Sequence, residues 1–451
     1  MTEQNSLLIR GGHVAAFDAE RTVHRGADVR IEDGIITEIG PDLDARGAEV
    51  IDAAGAIVSP GLSDSHLHFW QYPWRGVLYR KWGAEYIDKL YRMRPSYAPQ
   101  DTYDATLGAA YAMLDLGVTS ALDYMHGANQ TPEHLDASID AHRRAGMRIG
   151  LGYSMTMSAD RPEADREKAR AGRLADIDRL RADARVVESS TLDIVLASLN
   201  PAMERMERVT EEFAFARERG MMITIHQNDY GEVAALHRQG LLGDDLVVVH
   251  SNPISERELD WMAEAGVVMS VTSQSESLSG KSMMPTRKAF RQGVQLAFGV
   301  DSPVFTPLNL RTDLKAVFNS LTTLDGDDVY RGLRMPVDPE LDPATVDYDD
   351  VLRACTVGGA QAIGRKGQLG ELRVGQLADV VVIRPADPDP ALDDPTAHLL
   401  LGAPPAQEVE TVIVGGVVRK RDGKLLGIDP EELAEMNHRA RQRAMRVLQE
   451  S

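Results

Sequence analysis

The chain has 451 residues, 43% of them hydrophobic and 26% charged, which is ordinary for a globular protein and too long for one ordinary core. Its 69 acidic and 49 basic side chains leave a formal charge of -20, which repels nucleic-acid phosphates and anionic membranes and suits a small neutral or cationic partner. Cys355 is the one cysteine, so an internal disulfide, a cysteine zinc knuckle and a Cys-x-x-Cys redox pair are excluded, and it reads as a packed helix residue.

Met1-Thr2-Glu3-Gln4-Asn5-Ser6 lacks the basic start and apolar run of a signal peptide, and no apolar run reaches the roughly 18 residues that span a bilayer. The expected compartment is the cytoplasm. Short strand-like runs follow at Leu7–Ile9, Ala27–Ile31 and Ile35–Ile39, with Asp33-Gly34 as a hairpin turn between the last two. The same texture returns at Ala378–Ile383 and Thr411–Val418. We therefore expect a small β-sandwich-like domain built from both chain ends, residues 1–60 and 369–428, around an inserted α/β unit at 61–368. Within that unit, apolar runs alternate with helical patterns, the reading for a (β/α)8 TIM barrel. After the run ending at His68, strands are predicted near Ser120–Asp123, Arg148–Tyr153, Leu192–Ala197, Met222–His226, Leu246–His250, Val267–Thr272 and Gln295–Val300. The Ala159–Ser189 segment, with Leu174, Ile177 and Leu180 at helical spacing, reads as an outer barrel helix. Arg384–Gln407, rich in Pro, Asp and Ala, reads as an irregular surface excursion. Asp429 followed by Pro430 and Glu431-Glu432 marks the start of a closing helix over 429–451.

Metal-binding side chains close four of these separated runs: His66 and His68 in Asp64-Ser65-His66-Leu67-His68, then His226, His250 and Asp301. On an extended chain a His-x-His pair points both imidazoles to one side, so the two can share an ion. Parallel strands that end in such groups bring them together on one face of a barrel, where these folds hold their chemistry.

Together with Pro60-Gly61-Leu62, Gly299-Val300-Asp301-Ser302, Gly370-Glu371-Leu372 and Gly375-Gln376-Leu377-Ala378-Asp379, these marks resemble the amidohydrolase superfamily. The likeness is to its mononuclear branch of cytosine and guanine deaminases and s-triazine chlorohydrolases. It implies that His66, His68, His226 and Asp301 hold one divalent ion, zinc first, with iron or manganese as alternatives. It also implies that Asp301 accepts a proton from water and that His250 bonds the water or the developing oxyanion. Two-metal relatives use a lysine on the fourth strand, and Leu192–Asn200 contains none. One ion is therefore expected, as is a homo-oligomer.

The sequence departs from the deaminase pattern after His226, where Asp229 stands in place of a glutamate that carries protons. Its shorter reach leaves its role as proton carrier open. Trp70 and Trp74 are candidates to stack on a flat substrate ring, Gln71 to read a polar edge, and His126 and Glu276 to face the pocket. The leading expectation is hydrolytic deamination of a small nitrogen heterocycle by hydroxide formed at the ion. The alternative is hydrolysis of an amide, urea or carbamate C–N bond, or dechlorination of a ring. A non-catalytic binding protein has no reason to keep a ligand at every strand end.

Overall fold

A computed structural model describes residues 6–77, 86–90, 94–126, 131–156, 163–278, 285–304, 306–330 and 346–450. Eight strands, numbered here β1 to β8, form one parallel sheet in chain order: β1 Leu62–Leu67, β2 Val118–Met125, β3 Arg148–Ser154, β4 Leu192–Ala197, β5 Ile223–Gln227, β6 Leu246–His250, β7 Val268–Val271 and β8 Gln295–Phe298. Most positions in them are buried, because helices cover the outside and side chains fill the inside, which is why the runs are continuously apolar. Leu122, Val195, Val247, Val249, Val268 and Ala297 pack together within the barrel, and Ala360, Ala362 and Ile363 pack with them. Alternate residues such as Ile223, Ile225, Val248, Leu296 and Phe298 pack with the outer helices.

The barrel is nearly closed. Leu67 and Asp301 form an isolated parallel bridge, in which Asp301 N donates to His66 O at 2.8 Å and His68 N donates to Asp301 O at 2.9 Å. A Cβ on Gly299 would lie 2.7 Å from both the nitrogen and the oxygen of His66. Only glycine lets the two chains come this close. Strand β8 therefore ends at Phe298, before the Gly299-Val300 that the sequence reading included in it.

The chain ends form a separate nine-stranded mixed sheet. Ile57–Pro60 joins its two halves, pairing in parallel with Ser6–Ala15 and antiparallel with Val380–Ile383. Leu7, Ile9, Val29, Ile31, Val58, Val380, Val382 and Ile413 form its core. A buried ion pair ties this sheet to the barrel. Arg148, the first residue of β3, donates from Nε and Nη2 to Asp379 at 2.9 and 2.8 Å, and Asp379 also accepts from Gly415 N at 2.8 Å. Both side chains are 1% exposed.

The predicted outer helix is present at Glu163–Arg181, with Ile177 and Leu180 fully buried; residues 159–162 lie outside the described ones. Arg384–Gln407 is not the irregular excursion that its composition suggested. Asp394 accepts from Ala397 N at 3.0 Å and starts a helical turn whose continuation buries Leu399 and Leu400. Pro and Asp there act as a helix start, not as breakers. The closing helix runs Pro430–Glu450, with Asp429 accepting from Glu431 N at 2.7 Å. It packs on the helix Pro99–Asp115 and on the turn Phe69–Trp74. Cys355 is buried in a π-helical turn and its thiol is pushed up to about 12 by burial. Among the described residues no helix is long and apolar enough to cross a membrane.

Candidate metal centre

His66, His68, His226 and Asp301 converge at the carboxyl ends of β1, β5 and β8, each offering one ligand atom, with all four atoms within 4.8 Å of one another. Asp301 Oδ1 lies 3.3 Å from His66 Nε2 and 3.1 Å from His68 Nε2, and His226 Nε2 lies 3.1 Å from His66 Nε2. His68 Nδ1 sits 2.8 Å from Tyr124 O. A proton on Nδ1 for that carbonyl leaves Nε2 bare toward the cluster, the usual way an imidazole ligand is aimed.

The protonation states also fit a cation. Burial, against the opposing hydrogen bond and charge of Asp301, lowers His66 to about 3, and burial with the neighbouring imidazoles keeps His226 well below the ordinary histidine range. Burial alone would raise Asp301, yet the imidazoles that face it, His66 and His68 ahead of His250, hold it well below the carboxylate range. Neutral imidazoles and an ionised carboxylate are the forms a divalent ion requires.

The backbone is bent to build this cluster. Asp301 has φ +66°, and His250 and Ser251 have +78° and +59°. Left-handed conformations at residues other than glycine cost of order 1–3 kcal/mol each and gather at functional sites. In β6, Val247 and Val249 point into the barrel and Val248 points out, so regular alternation would turn His250 toward the helices. The left-handed turn instead leaves its ring stacked on His226, with centroids 5.4 Å apart, and 5.9 Å from that of His66.

Three supporting residues were not foreseen. Asp64 is fully buried and accepts from His66 N at 3.0 Å and Val300 N at 3.1 Å, stitching β1 to the Asp301 loop; burial raises it well above the usual range. Ser275 hydrogen-bonds Asp301 Oδ2. Tyr124 supplies the carbonyl for His68, and its own ring lies 4.3 Å from that of His226. Asp64 carried a sequence signal, since it stands two residues before His66 on the same strand. Ser275 and Tyr124 carried none.

The substrate candidates divide. His126 lies at the centre, 7% exposed, its ring 4.0 Å from that of His68 and its buried Nδ1 without a hydrogen-bond partner among the described residues. Trp70 meets His126 edge-on at 5.6 Å, and its buried indole nitrogen also has no hydrogen-bond partner among the described residues. Trp74 does not line a mouth: it is 1% exposed and donates at 2.7 Å to Tyr97 OH, which donates at 2.6 Å to Trp70 O. The turn Phe69–Trp74 folds it inward as packing. Gln71 is fully buried and its amide is satisfied at both ends, by Ser302 Oγ at 2.5 Å and Tyr86 OH at 2.9 Å. Glu276, expected to face the pocket, is 2% exposed and turned to His250 Nδ1 at 3.3 Å. Asp229 is exposed on the turn after β5, whereas the clustered donors are buried or nearly so. The nearby Glu232, raised to about 7 by burial, accepts from Asn228 N at 3.1 Å and pins that turn.

A barrel with three imidazoles and one carboxylate at the carboxyl ends of its strands defines the class: a metal-dependent hydrolase scaffold. The particular family follows from comparison, since the amidohydrolase family profile matches residues 57–419, and the chain belongs to that family. It is 27% identical over 449 residues to a 5-methylthioadenosine/S-adenosylhomocysteine deaminase of Pyrococcus furiosus, covering 95% of this chain and 98% of that protein. It is 25% identical over 453 residues to a 5'-deoxyadenosine deaminase of Methanosarcina mazei, covering 96% and 97%. Among solved structures it resembles a zinc-bound adenosine deaminase from Xanthomonas campestris, at TM-score 0.81, 21% identity and 98% coverage of each chain. It also resembles the zinc complex of atrazine chlorohydrolase from Arthrobacter aurescens, at TM-score 0.81, 20% identity and coverage of 96% and 99%.

Proposed function

We propose that this protein hydrolytically deaminates a small nitrogen heterocycle, with one zinc ion held by His66, His68, His226 and Asp301. The observation that carries the proposal is the donor set itself, with all four ligand atoms gathered within 4.8 Å of one another, in a family whose similar members include several purine-nucleoside-type deaminases. A divalent ion in that set would lower the pKa of water toward 7 and so make hydroxide available at neutral pH. Asp301, ionised and held by His66 and His68, receives the proton that water gives up. His250, its ring stacked on that of His226, accepts a hydrogen bond from the attacking water. The nitrogens of His126 and Trp70, without a partner among the described residues, offer hydrogen bonds to the ring being turned over. The protein's partners are small molecules, and a cytoplasmic homo-oligomer is the form we propose.

One observation favours a second reading. The exposed Asp229 is not gathered with the buried donors, so little in the described site protonates a poor leaving group. Amide, urea or carbamate cleavage, or displacement of chloride from a ring, tolerates that better than loss of an amine. Ammonia release measured across aminopurine nucleosides, aminopyrimidines and aminotriazines, beside chlorotriazine, amide and carbamate panels, separates the two. Ammonia from the heterocycles is the expected result. Turnover confined to the other panels overturns deamination.

A further inference from the structure

Glu276 is a buried acid that none of the steps above uses. It stands in the short helix Ser273–Leu278 after β7. Its Oε1 lies 3.1 Å from Thr272 N, 3.1 Å from Thr272 Oγ1 and 3.3 Å from His250 Nδ1, and its Oε2 lies 3.4 Å from Asn252 Nδ2. His250 Nδ1 is also 3.1 Å from Thr272 Oγ1. Thr272 thus gives its backbone N–H and its hydroxyl to one carboxylate oxygen, and that same oxygen faces the imidazole.

Donor and acceptor counting fixes the proton on that ring. An ionised carboxylate only accepts, and the single hydroxyl proton of Thr272 is used on Oε1, so both groups facing Nδ1 present lone pairs to it. Nδ1 is then the protonated nitrogen, and Nε2, on the opposite edge of the ring, keeps its lone pair. The ring is also held in place: it is stacked on His226 and carried on a backbone forced left-handed at both His250 and Ser251.

We infer that Glu276 is a positioning residue for His250, fixing its Nδ1–H tautomer and ring angle so that Nε2 is the nitrogen presented to the reacting groups. Glu276 does this from behind the imidazole and does not touch the substrate. The consequence for catalysis rests on the hydrolase reading above, in which His250 acts on the reacting oxygen; the tautomer itself does not. A helix-capping role alone would ask only for an acceptor at Thr272 N and would leave the His250 proton unspecified.

The test is tautomer assignment on the full chain, labelled with 15N-histidine and loaded with zinc. His250 is identified by the signals lost in His250→Gln, and its protonated nitrogen is read from long-range 1H–15N correlations. The expected result at neutral pH is Nδ1–H for His250 in the wild type and in Glu276→Gln, whose amide oxygen still accepts, with Nε2–H or an averaged pair in Glu276→Ala. Nε2–H in the wild type overturns the inference whether or not any variant folds, as does an unchanged Nδ1–H tautomer in folded Glu276→Ala. On whichever substrate the panels identify, Glu276→Ala is expected to lower kcat by about 10–100-fold with KM and zinc content little changed, and Glu276→Gln to recover most of it. An Ala variant with wild-type kcat contradicts the inference. Failure to bind zinc or to turn over any substrate would count against the hydrolase reading and leave the tautomer result standing.

Discussion

Two aspartates carry the sharpest contrast at the scale of single residues. Asp301 bonds two imidazoles and is held ionised, whereas Asp229 lies in solvent. Asp301→Asn is expected to lower kcat by about 10²–10⁴-fold, the range for a lost acid–base group. For Asp229→Asn the expected loss is under about tenfold, and a loss matching that of Asp301→Asn would return Asp229 to the role the sequence suggested. A third carboxyl acts on stability. Asp313 is 1% exposed, accepts from Gln274 N and Nε2 at 3.0 and 2.9 Å, and is pushed up by burial to about 8. Its folded value lies above its unfolded value of 3.8, so its contribution is complete below the unfolded value and is lost as pH rises through the folded one. Denaturant midpoints should therefore fall between about pH 4 and pH 8, and Asp313→Asn should flatten that fall. An identical slope in the variant would assign the pH dependence elsewhere.

Among elements, β3 bears the contact that joins the two sheets, the Arg148–Asp379 pair. Removing one partner strands a buried charge, so Arg148→Met is expected to cost about 3–5 kcal/mol of unfolding free energy, and Arg148→Met with Asp379→Leu to recover a large part of it. Equal losses in the single and double variants would show that the pair's charge is not what matters. The strands themselves were legible because burial on both faces leaves continuous Val, Ile and Leu runs with a polar ligand at the end. What a period-two reading could not find was the break in period. His250 reaches the cluster only because its strand turns left-handed, and β8 stops short of Asp301 because Gly299 must pass close to His66. Both features depend on a neighbouring strand distant in sequence. The same holds for Trp74 and Gln71, whose partners Tyr97, Tyr86 and Ser302 come from other segments. The Pro- and Asp-rich stretch before Gln407 misled for a local reason, since Asp394-Pro395 serves equally well as a helix start.

Over the whole molecule, a sheet from the chain ends braces the foot of β3 while the opposite, carboxyl ends of the strands gather the ionisable side chains. The four donors come from β1, from β5 and from the loop after β8, so one ion would join segments more than 200 residues apart and bind only the folded chain. Metal content measured by mass spectrometry on protein purified without added chelator is the most direct test of the central claim. The account predicts about one divalent ion per chain in the wild type and less than about a tenth of that in His66→Ala/His68→Ala and in His226→Ala variants that remain folded. A wild type that binds no ion and gains no activity from zinc, iron or manganese, or folded variants that keep a full equivalent, would contradict it.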